Sequence, residues 1–456
     1  MALLFPIGEG PDEATHTARA ASVLHGQWIG RRVQLQHFVD GMPVTVAGVD
    51  INPGYLAPFL ALPSLPEAAR KPVTLDAVQA TAARRWPTGT VFVEASNTAG
   101  YMPLLYLPAA AGMGLAALVR AGPMEAVLAA RLANAAACVL MGYAALRLAR
   151  RGRPALFALL ALPMTLHLSA AVSQDGPLIA AAALAAALLP RGGRLYWAGA
   201  AALACVAAAK PPYLPLALLA LVPLDGRPFR LHRQGAGFLL VMLAGTAWAA
   251  AAAALAVAPF WRAPYHPGPL WTGDPGALFR STDPAAQLGI LLHRPALLLR
   301  LPLETLALSW RYLARSAVGV FASLDFTLPA WLYRLCYAAL AAAALGAMVL
   351  PRGDPGPAPR PWATALLLAG GAACLWGIVL LQYLSWTNVG QAAVDGMQGR
   401  YLLPILLLLA PALPGLRLPA LGAGTARALL TLPAAAAALL GLGVLPAAVV
   451  LRYYLR

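Results

Sequence analysis

The sequence has few charged residues: Asp, Glu, Lys and Arg together make up 11% of its 456 residues, whereas hydrophobic residues make up 60%. This composition excludes an ordinary soluble domain, in which about a quarter of the residues are charged. Several apolar runs reach or approach the roughly 20 residues that span a bilayer. The sequence therefore predicts an all-α, polytopic membrane protein that forms a single integral-membrane domain over residues 1–456.

Lysine and cysteine are also scarce. The only lysines are Lys71 and Lys210, so the net charge of +16 comes from arginine, and in a membrane protein we do not take it to indicate a nucleic-acid partner. The four cysteines lie inside apolar runs, without the spacing of a metal site or a disulfide framework. The sequence also contains no P-loop, no G-x-S-x-G and no H-E-x-x-H motif.

Long apolar runs dominate what the sequence does contain. The predicted spans are 125–148, 154–173, 177–190, 195–209, 211–223, 236–258, 330–350, 362–384, 401–415 and 428–451. A further apolar stretch, 100–119, is interrupted by Pro103 and Pro108 and fits a re-entrant or half-buried helix. We therefore expect about ten to eleven transmembrane helices.

Arginine-rich connections orient these spans. They lie at 147–153, 191–194, 225–233, 352–360 and 417–427, on every second connection. The positive-inside rule places all five in the cytoplasm. Residues 1–124 then form an outer loop with juxtamembrane helices, and residues 259–329 form a second outer loop with amphipathic helices. Because the chain would begin outside, we also expect a preceding span that ends near residues 1–7.

The stretch G-P-D-E-A-T-H-T-A-R, residues 10–19, carries the densest polar cluster. On a helix that begins at Pro11, the side chains of Asp12, His16 and Arg19 share one face. Charged groups beside a membrane are costly unless they are solvated or functional. The cluster fits a general base with an imidazole that either orients it or titrates near neutral pH, and Glu13 fits a helper or metal ligand. The alternative is an acidic helix start whose carboxylate only caps the helix.

Further polar groups lie at the predicted outer ends of spans. Asp175, in S-Q-D-G-P, fits either a contact with the reactants or a helix cap. Lys210 precedes P-P-Y-L-P and fits a phosphate ligand or an interfacial anchor. Asp395 opens D-G-M-Q-G-R-Y, in which Arg400 fits a phosphate ligand or a lipid-headgroup contact. Arg131 lies inside a span and needs a partner, either Glu125 or a ligand.

The order of these motifs resembles a bacterial membrane family known as domain of unknown function 2142 (DUF2142). The string P-D-E-A-T-H-T-A-R-A resembles its P-D-E-x-x-H signature. The other matching pieces, in order, are N-T-A-G-Y-M-P-L-L-Y-L-P, L-P-M-T-L-H-L-S-A-A-V-S-Q-D-G, K-P-P-Y-L-P, L-D-F-T-L-P and G-M-Q-G-R-Y-L-L-P. They cover nearly the whole chain.

The resemblance implies a fold like that of the GT-C glycosyltransferases, which use polyprenyl-phosphate-linked sugars at the outer face of the membrane. It implies that Asp12 is the general base, with Glu13 and His16 beside it, and that the reaction inverts the anomeric centre. The substrate-binding residues that we expect are Arg19, Tyr101, Arg131, Asp175, Lys210, Tyr213, Asp395, Gln398, Arg400 and Tyr401. A divalent cation, Mg or Mn, held by Asp12 and Glu13, is an open expectation.

The expected partners are the lipid bilayer of a bacterial inner membrane, a polyprenyl-phosphate-linked sugar, and a glycan or lipid acceptor of the cell envelope. Two other functions use the same residues. The outer charges also fit the vestibule of a transporter or flippase for a lipid-linked or anionic glycan. The chain also fits a non-catalytic component of an envelope-polysaccharide complex. Replacing Asp12 by Asn separates a catalyst from a scaffold.

Overall fold

The structure, a computed structural model, describes residues 1–39, 42–61, 72–222, 224, 230–258, 282–322, 324–349, 360–415 and 423–455. It is mostly helical, with 72% helix, 6% strand and 17 helices among these residues. The helices are α1 (Glu13–Leu24), α2 (Ala57–Ala61), α3 (Leu75–Ala82), α4 (Leu107–Leu118), α5 (Pro123–Leu148), α6 (Arg153–Leu160), α7 (Pro163–Ala170), α8 (Asp175–Leu188), α9 (Gly193–Ala209), α10 (Leu218–Leu221), α11 (Leu231–Leu255), α12 (Pro284–His293), α13 (Leu297–Gly319), α14 (Ala330–Met348), α15 (Pro361–Ser385), α16 (Leu403–Leu409) and α17 (Ala423–Tyr453).

The N-terminal region contains a sheet as well as helices, which corrects the all-α expectation. Its strands β1 (Arg31–Val39), β2 (Met42–Ile51) and β3 (Val91–Glu94) form an antiparallel sheet in the order β1-β2-β3. The middle of β2, from Val46 to Val49, is buried on both faces, as is typical of a central strand. The described part of residues 1–124 therefore contains both helices and strands. A second sheet is a short pair, β4 (Val320–Phe321) and β5 (Phe326–Thr327).

Fewer helices than predicted have the length and composition of a membrane span. Among the described residues there are five, namely α5, α11, α14, α15 and the part Ala428–Tyr453 of α17. The pair α6 and α7, bent by 61°, makes a sixth if it counts as one broken span. Shorter apolar helices occupy Pro103–Leu118, Gly193–Ala209, Pro211–Leu221 and Gly399–Ala412. The expected count of ten to eleven is therefore not confirmed.

The core of the bundle surrounds α8, whose residues are nearly all buried. Its run of alanines allows α5, α9 and α16 to approach closely, because small side chains bring helix backbones together. The helix α11 differs: among its residues only Gln234, Gly237, Val241 and Gly245 are buried. Its largely exposed apolar surface suits contact with lipid.

The second predicted outer loop, 259–329, is described from residue 282 onward, where it contains α12 and α13. Short 3₁₀ turns connect several helices. Those that matter for the site are Pro103–Tyr106, Pro211–Ala217 and Gly399–Leu402. Of the arginine-rich connections, 225–229, 352–359 and 417–422 lie outside the described residues.

Candidate active site

Asp12 has an unusual backbone conformation at the start of α1. Its φ of 55° and ψ of 24° lie in the left-handed region, which Asp and Asn tolerate better than other non-glycine residues. Its carboxylate makes no capping hydrogen bond to α1. It is instead 42% exposed and lines a cavity. The capping alternative is therefore wrong, because the left-handed turn directs the carboxylate into the cavity.

Four charged side chains from distant parts of the sequence meet in this cavity, and we call them the cavity cluster: Asp12, Asp175, Lys210 and Arg400. Lys210 Nζ lies 2.9 Å from Asp175 Oδ1, and Arg400 Nε lies 3.3 Å from Asp175 Oδ2. Arg400 Nη2 lies 3.3 Å from Asp12 Oδ2. The acids and bases alternate, so that the cluster is electrically balanced around Arg400.

Local structure holds each member of the cluster in place. Asp175 is the first residue of α8, where the helix dipole favours a negative charge. Lys210 ends α9, and its ammonium lies 4.5 Å from the ring centroid of Tyr401. Arg400 is held by the preceding residue, Gly399, which packs against α13. A Cβ at Gly399 would lie 2.0 Å from the carbonyl oxygen of Leu313, so that only glycine permits this approach.

Arg400 has donors that the protein does not use. Its side chain is only 5% exposed, yet Nη1 has no hydrogen-bond partner among the described residues. Buried charged donors are normally bonded, because an unmet donor loses its hydration without compensation. A guanidinium can bind an anion through two parallel hydrogen bonds. Arg400 is therefore suited to bind a phosphate in the cavity while it retains its contacts with the acids.

His16 and two tyrosines line the wall beside Asp12. His16 Nδ1 and Tyr106 Oη are 2.6 Å apart, and the rings of His16 and Tyr101 are 6.0 Å apart. Burial lowers the pKa of His16 to about 4, although Asp175 and Asp12 act in the opposite direction. The imidazole is therefore neutral at pH 7, which favours the orienting role of His16 over titration near neutrality. Burial also favours the neutral form of Tyr101: it raises the pKa of the phenol, which therefore stays protonated.

Asp175 is ionised in the same surroundings. Burial alone would raise its pKa, but Lys210 and Arg400 outweigh burial and hold the pKa of Asp175 below its ordinary value. Nearby, Tyr213 Oη donates to the carbonyl oxygen of Tyr401 at 2.9 Å. This bond ties the turn that carries Arg400 to the turn that follows Lys210.

Glu13 turns away from the cavity and into the protein. Its Oε1 accepts from Arg131 Nε at 2.7 Å, and its Oε2 accepts from Arg131 Nη2 at 2.6 Å. Backbone N–H groups of Val172, Gly8 and Gly10 complete its shell. The partner of Arg131 is thus Glu13 and not Glu125. Both predicted roles of Glu13, helper and metal ligand, are disfavoured because its oxygens are already saturated.

Arg131 also stabilises the start of the chain rather than a ligand. Its guanidinium donates to the carbonyl oxygens of Ala2, Phe5 and Pro6. Neither Glu13 nor Arg131 lines the cavity. Among the described residues, no group of three or more His, Cys, Asp or Glu side chains is placed to hold a metal ion. The expected Asp12–Glu13 metal pair is not assembled, since the two carboxylates diverge.

Two other predicted ligands lie behind the cavity wall. Arg19 is fully buried and donates to Ser22 Oγ and to the carbonyl oxygens of Gln27, Trp28 and Tyr101. It therefore braces the wall that carries Tyr101. Asp395 is buried outside the cavity lining, where its backbone N–H donates to Thr387 Oγ1. The predicted residues that line the cavity are Asp12, His16, Tyr101, Asp175, Lys210, Tyr213, Gln398, Arg400 and Tyr401.

The cavity has a volume of about 430 Å³ and two unlike halves. The charged half is the cluster with its tyrosines. The apolar half runs between α11 and α15 over the prolines that follow Lys210, and its walls include Ala249, Ala252, Ala253, Ala256, Ile378 and Leu381. A cavity of this form accommodates a molecule with a charged head and an apolar chain.

Several lining residues were not predicted from the sequence, namely Ser96, Asn97, Thr98, Trp248, Gln382, Ser385 and Trp386. Two of them, Asn97 and Thr98, belong to the N-T-A-G-Y stretch that carries part of the family resemblance. The others are isolated polar or aromatic residues, and residues of these types at the end of an apolar helix, such as Gln382 and Ser385 in α15, are common.

Comparison with known protein families places these residues in a wider group. The family model described as "Predicted membrane protein (DUF2142)" matches residues 1–409. The chain belongs to the DUF2142 family. The match confirms the resemblance and includes every member of the cavity cluster, and it supports a location in a membrane. No curated protein and no solved structure matches this DUF2142 chain.

Proposed function

We propose that this protein is a membrane glycosyltransferase of the GT-C type, which transfers a sugar from a polyprenyl-phosphate donor to a glycan or lipid acceptor at the outer face of the bacterial inner membrane. One observation carries the proposal: the partly exposed carboxylate of Asp12 shares a cavity with the buried, incompletely bonded guanidinium of Arg400. Displacement of a phosphate from a sugar requires a base for the acceptor hydroxyl and a cationic site for the leaving phosphate, and this cavity is lined by groups of both kinds.

The chemistry uses residues of the cavity cluster. Asp12 takes the proton from a hydroxyl group of the acceptor, whose oxygen then forms a bond to the anomeric carbon of the donor. The bond between that carbon and the phosphate oxygen breaks on the opposite side, so the configuration inverts. The lipid phosphate leaves with the bonding electron pair, and Arg400 and Lys210 stabilise its charge. Asp175 holds both cations in position.

The remaining cavity suits the rest of the donor. The apolar half between α11 and α15 is lined by small side chains, which leaves room for an isoprenoid chain. The exposed apolar surface of α11 gives that chain a route from the bilayer. His16 enters the mechanism as a neutral group that supports Tyr106 and the wall beside Asp12.

Turnover in native-like membranes tests the proposal. Asp12→Asn preserves size and tolerates the left-handed backbone, so that it removes the base and its ion pair with Arg400 while the local fold is kept. We expect transfer or hydrolysis of a labelled polyprenyl-phosphate sugar to fall by about 10²- to 10⁴-fold. Asp50→Asn is the matched control, because Asp50 pairs with Arg31 at the protein surface. Equal turnover by wild type and Asp12→Asn would show that Asp12 is not the base.

The lipid half is tested with donors of different chain length. Ala249→Leu narrows the cavity, whereas Ala247→Leu adds the same volume to an exposed position on α11 that does not line it. We expect only Ala249→Leu to disfavour long-chain donors relative to short-chain ones. If the wild type binds polyprenyl phosphate but consumes none of a panel of donors, the transporter alternative replaces the transferase.

A further inference from the structure

The loop between β3 and the turn Pro103–Tyr106 is held rigidly at the cavity wall. On one side, Ser96 Oγ accepts from the backbone N–H of Ala47 in β2 at 3.1 Å. On the other side, Thr98 Oγ1 donates to the carbonyl oxygen of Thr15 in α1 at 3.1 Å. Trp248 of α11 donates through Nε1 to the carbonyl oxygen of Gly100 at 3.0 Å. The sheet, α1 and α11 therefore fix the loop from three sides.

Asn97 lies in this fixed loop and lines the cavity. Its Oδ1 atom is buried and has no hydrogen-bond partner among the described residues, whereas Ser96 and Thr98 beside it are both bonded. A buried amide oxygen without a donor is unfavourable, because it has lost its hydration without compensation. Such an atom in a cavity wall indicates a ligand that brings a hydrogen-bond donor.

The ligand group is a hydroxyl rather than a phosphate. An anion offers no hydrogen-bond donor to Oδ1, and the cavity already has Arg400 and Lys210 for negative charge. An isoprenoid chain has no polar hydrogen at all. A carboxamide carries one acceptor and two donor hydrogens, which matches the paired hydroxyls of a sugar ring. Because Thr98 contacts the residue before His16, Asn97 lies on the same wall as Asp12, where the reaction takes place.

We propose that Asn97 binds a hydroxyl group of the sugar ring that lies beside Asp12, and that it thereby selects the carbohydrate substrate. This inference rests on the proposed function and adds to it a residue that binds the sugar rather than the lipid phosphate. The ring belongs either to the donor or to the acceptor, and the experiment separates these sources.

Binding to the full-length protein in detergent tests the donor. The probes are bare polyprenyl phosphate and the same lipid phosphate bearing a hexose. We expect wild type to bind the hexose-bearing lipid more tightly, and Asn97→Ala to bind it about tenfold more weakly than wild type while its affinity for the bare lipid is unchanged. The matched control is Asn52→Ala, since Asn52 bonds to Pro87 and Gly54 outside the cavity. It should bind both probes as wild type does.

A parallel titration with methyl hexosides and their deoxy analogues represents the acceptor. A preference that wild type shows and Asn97→Ala lacks, either for the hexose-bearing lipid in the first titration or for one hydroxyl in the second, supports the proposal and identifies the source of the ring. If Asn97→Ala keeps the wild-type preferences in both titrations, the proposal is overturned. If wild type does not bind bare polyprenyl phosphate, the proposed function itself fails, and this inference fails with it.

Discussion

Asp12 places its carboxylate in the cavity beside Arg400, whereas Glu13, the next residue, places its carboxylate inside the protein against Arg131. The first carboxylate is 42% exposed and the second is fully buried. The Asp12–Arg400 contact is 3.3 Å long, and the closest Glu13–Arg131 contact is 2.6 Å long. Two adjacent acids thus belong to two different ion-pair systems. The open system, Asp12 with Arg400, faces the cavity, and the sealed system, Glu13 with Arg131, is buried.

The difference lies in how completely each arginine is bonded. Arg131 donates to both oxygens of Glu13 and to three backbone carbonyl groups, so it has no capacity left for a ligand. Arg400 makes long contacts to two acids, lies over the ring of Tyr401, and keeps a buried nitrogen, Nη1, without a hydrogen-bond partner among the described residues. Saturated charges hold a fold together, and unsaturated ones indicate where a ligand binds.

The largest expected effect is on stability at the sealed pair. Glu13→Gln leaves the buried charge of Arg131 uncompensated, so we expect a loss of about 3–5 kcal/mol in the free energy of unfolding. Asp12→Asn removes an exposed partner and should change that free energy by less than about 1 kcal/mol. Thermal unfolding in detergent measures both variants. Equal melting temperatures for the two would contradict the distinction between the pairs.

A double variant shows whether Glu13→Gln loses stability because the charge of Arg131 is unpaired or because packing is lost. Glu13→Gln combined with Arg131→Met removes both charges, and replacing a whole buried pair is far less costly than breaking it. We expect the double variant to recover part of the stability that Glu13→Gln loses. Recovery has an upper limit, because Met cannot bond to the carbonyl oxygens of Ala2, Phe5 and Pro6.

His16 gives the next effect, and its sign follows from its pKa. The unfolded chain binds a proton near pH 6.5, whereas the folded protein resists protonation of His16 until about pH 4. The stabilisation is complete above pH 6.5 and is lost as the pH falls toward 4, by about 3 kcal/mol in total. His16→Asn removes this dependence while it keeps a polar group near Tyr106. The melting temperatures of wild type and variant should therefore converge or cross as the pH is lowered. Parallel plots of melting temperature against pH would argue against a buried neutral imidazole.

Arg400→Lys tests the open system with the charge retained. Lysine keeps the positive charge but loses the planar fork that reaches Asp12, Asp175 and a phosphate together. We expect about tenfold weaker binding of polyprenyl phosphate, which corresponds to about 1.4 kcal/mol. Arg31→Lys, at an exposed pair with Asp50, is the control and should bind normally. Unchanged binding by Arg400→Lys would mean that Arg400 does not hold the phosphate.

The sequence was most informative where polar residues interrupt apolar runs. Asp175, Lys210 and Arg400 are distant in sequence, and each was singled out as a polar group at the predicted outer end of a span. The structure brings all three together with Asp12. The Glu13–Arg131 pair was not predictable in this way, since the partners are 118 residues apart and no local pattern connects them.

The apolar pattern predicted the positions of the helices better than their lengths. Every predicted span contains a helical segment, but proline shortens several of them: Pro163 separates α6 from α7, and Pro215 lies in the turn before α10. A proline removes a backbone donor and bends the helix, so an apolar run of sufficient length does not ensure one straight span. The sheet was missed because its period of two was not sought in a chain dominated by apolar length.

The most local effect concerns how the end of α17 supports the sealed Glu13–Arg131 pair. Tyr453 Oη donates to Glu9 Oε2 at 2.6 Å, and Tyr454 Oη donates to the carbonyl oxygen of Leu4 at 2.9 Å, so both tyrosines hold the segment that Arg131 also binds. A hydroxyl bonded to a carboxylate is worth more than one bonded to a carbonyl group. We expect Tyr453→Phe to lower the free energy of unfolding by about 1–2 kcal/mol and Tyr454→Phe by less. A larger loss in Tyr454→Phe would show that the carboxylate of Glu9 is not what anchors the chain ahead of Asp12.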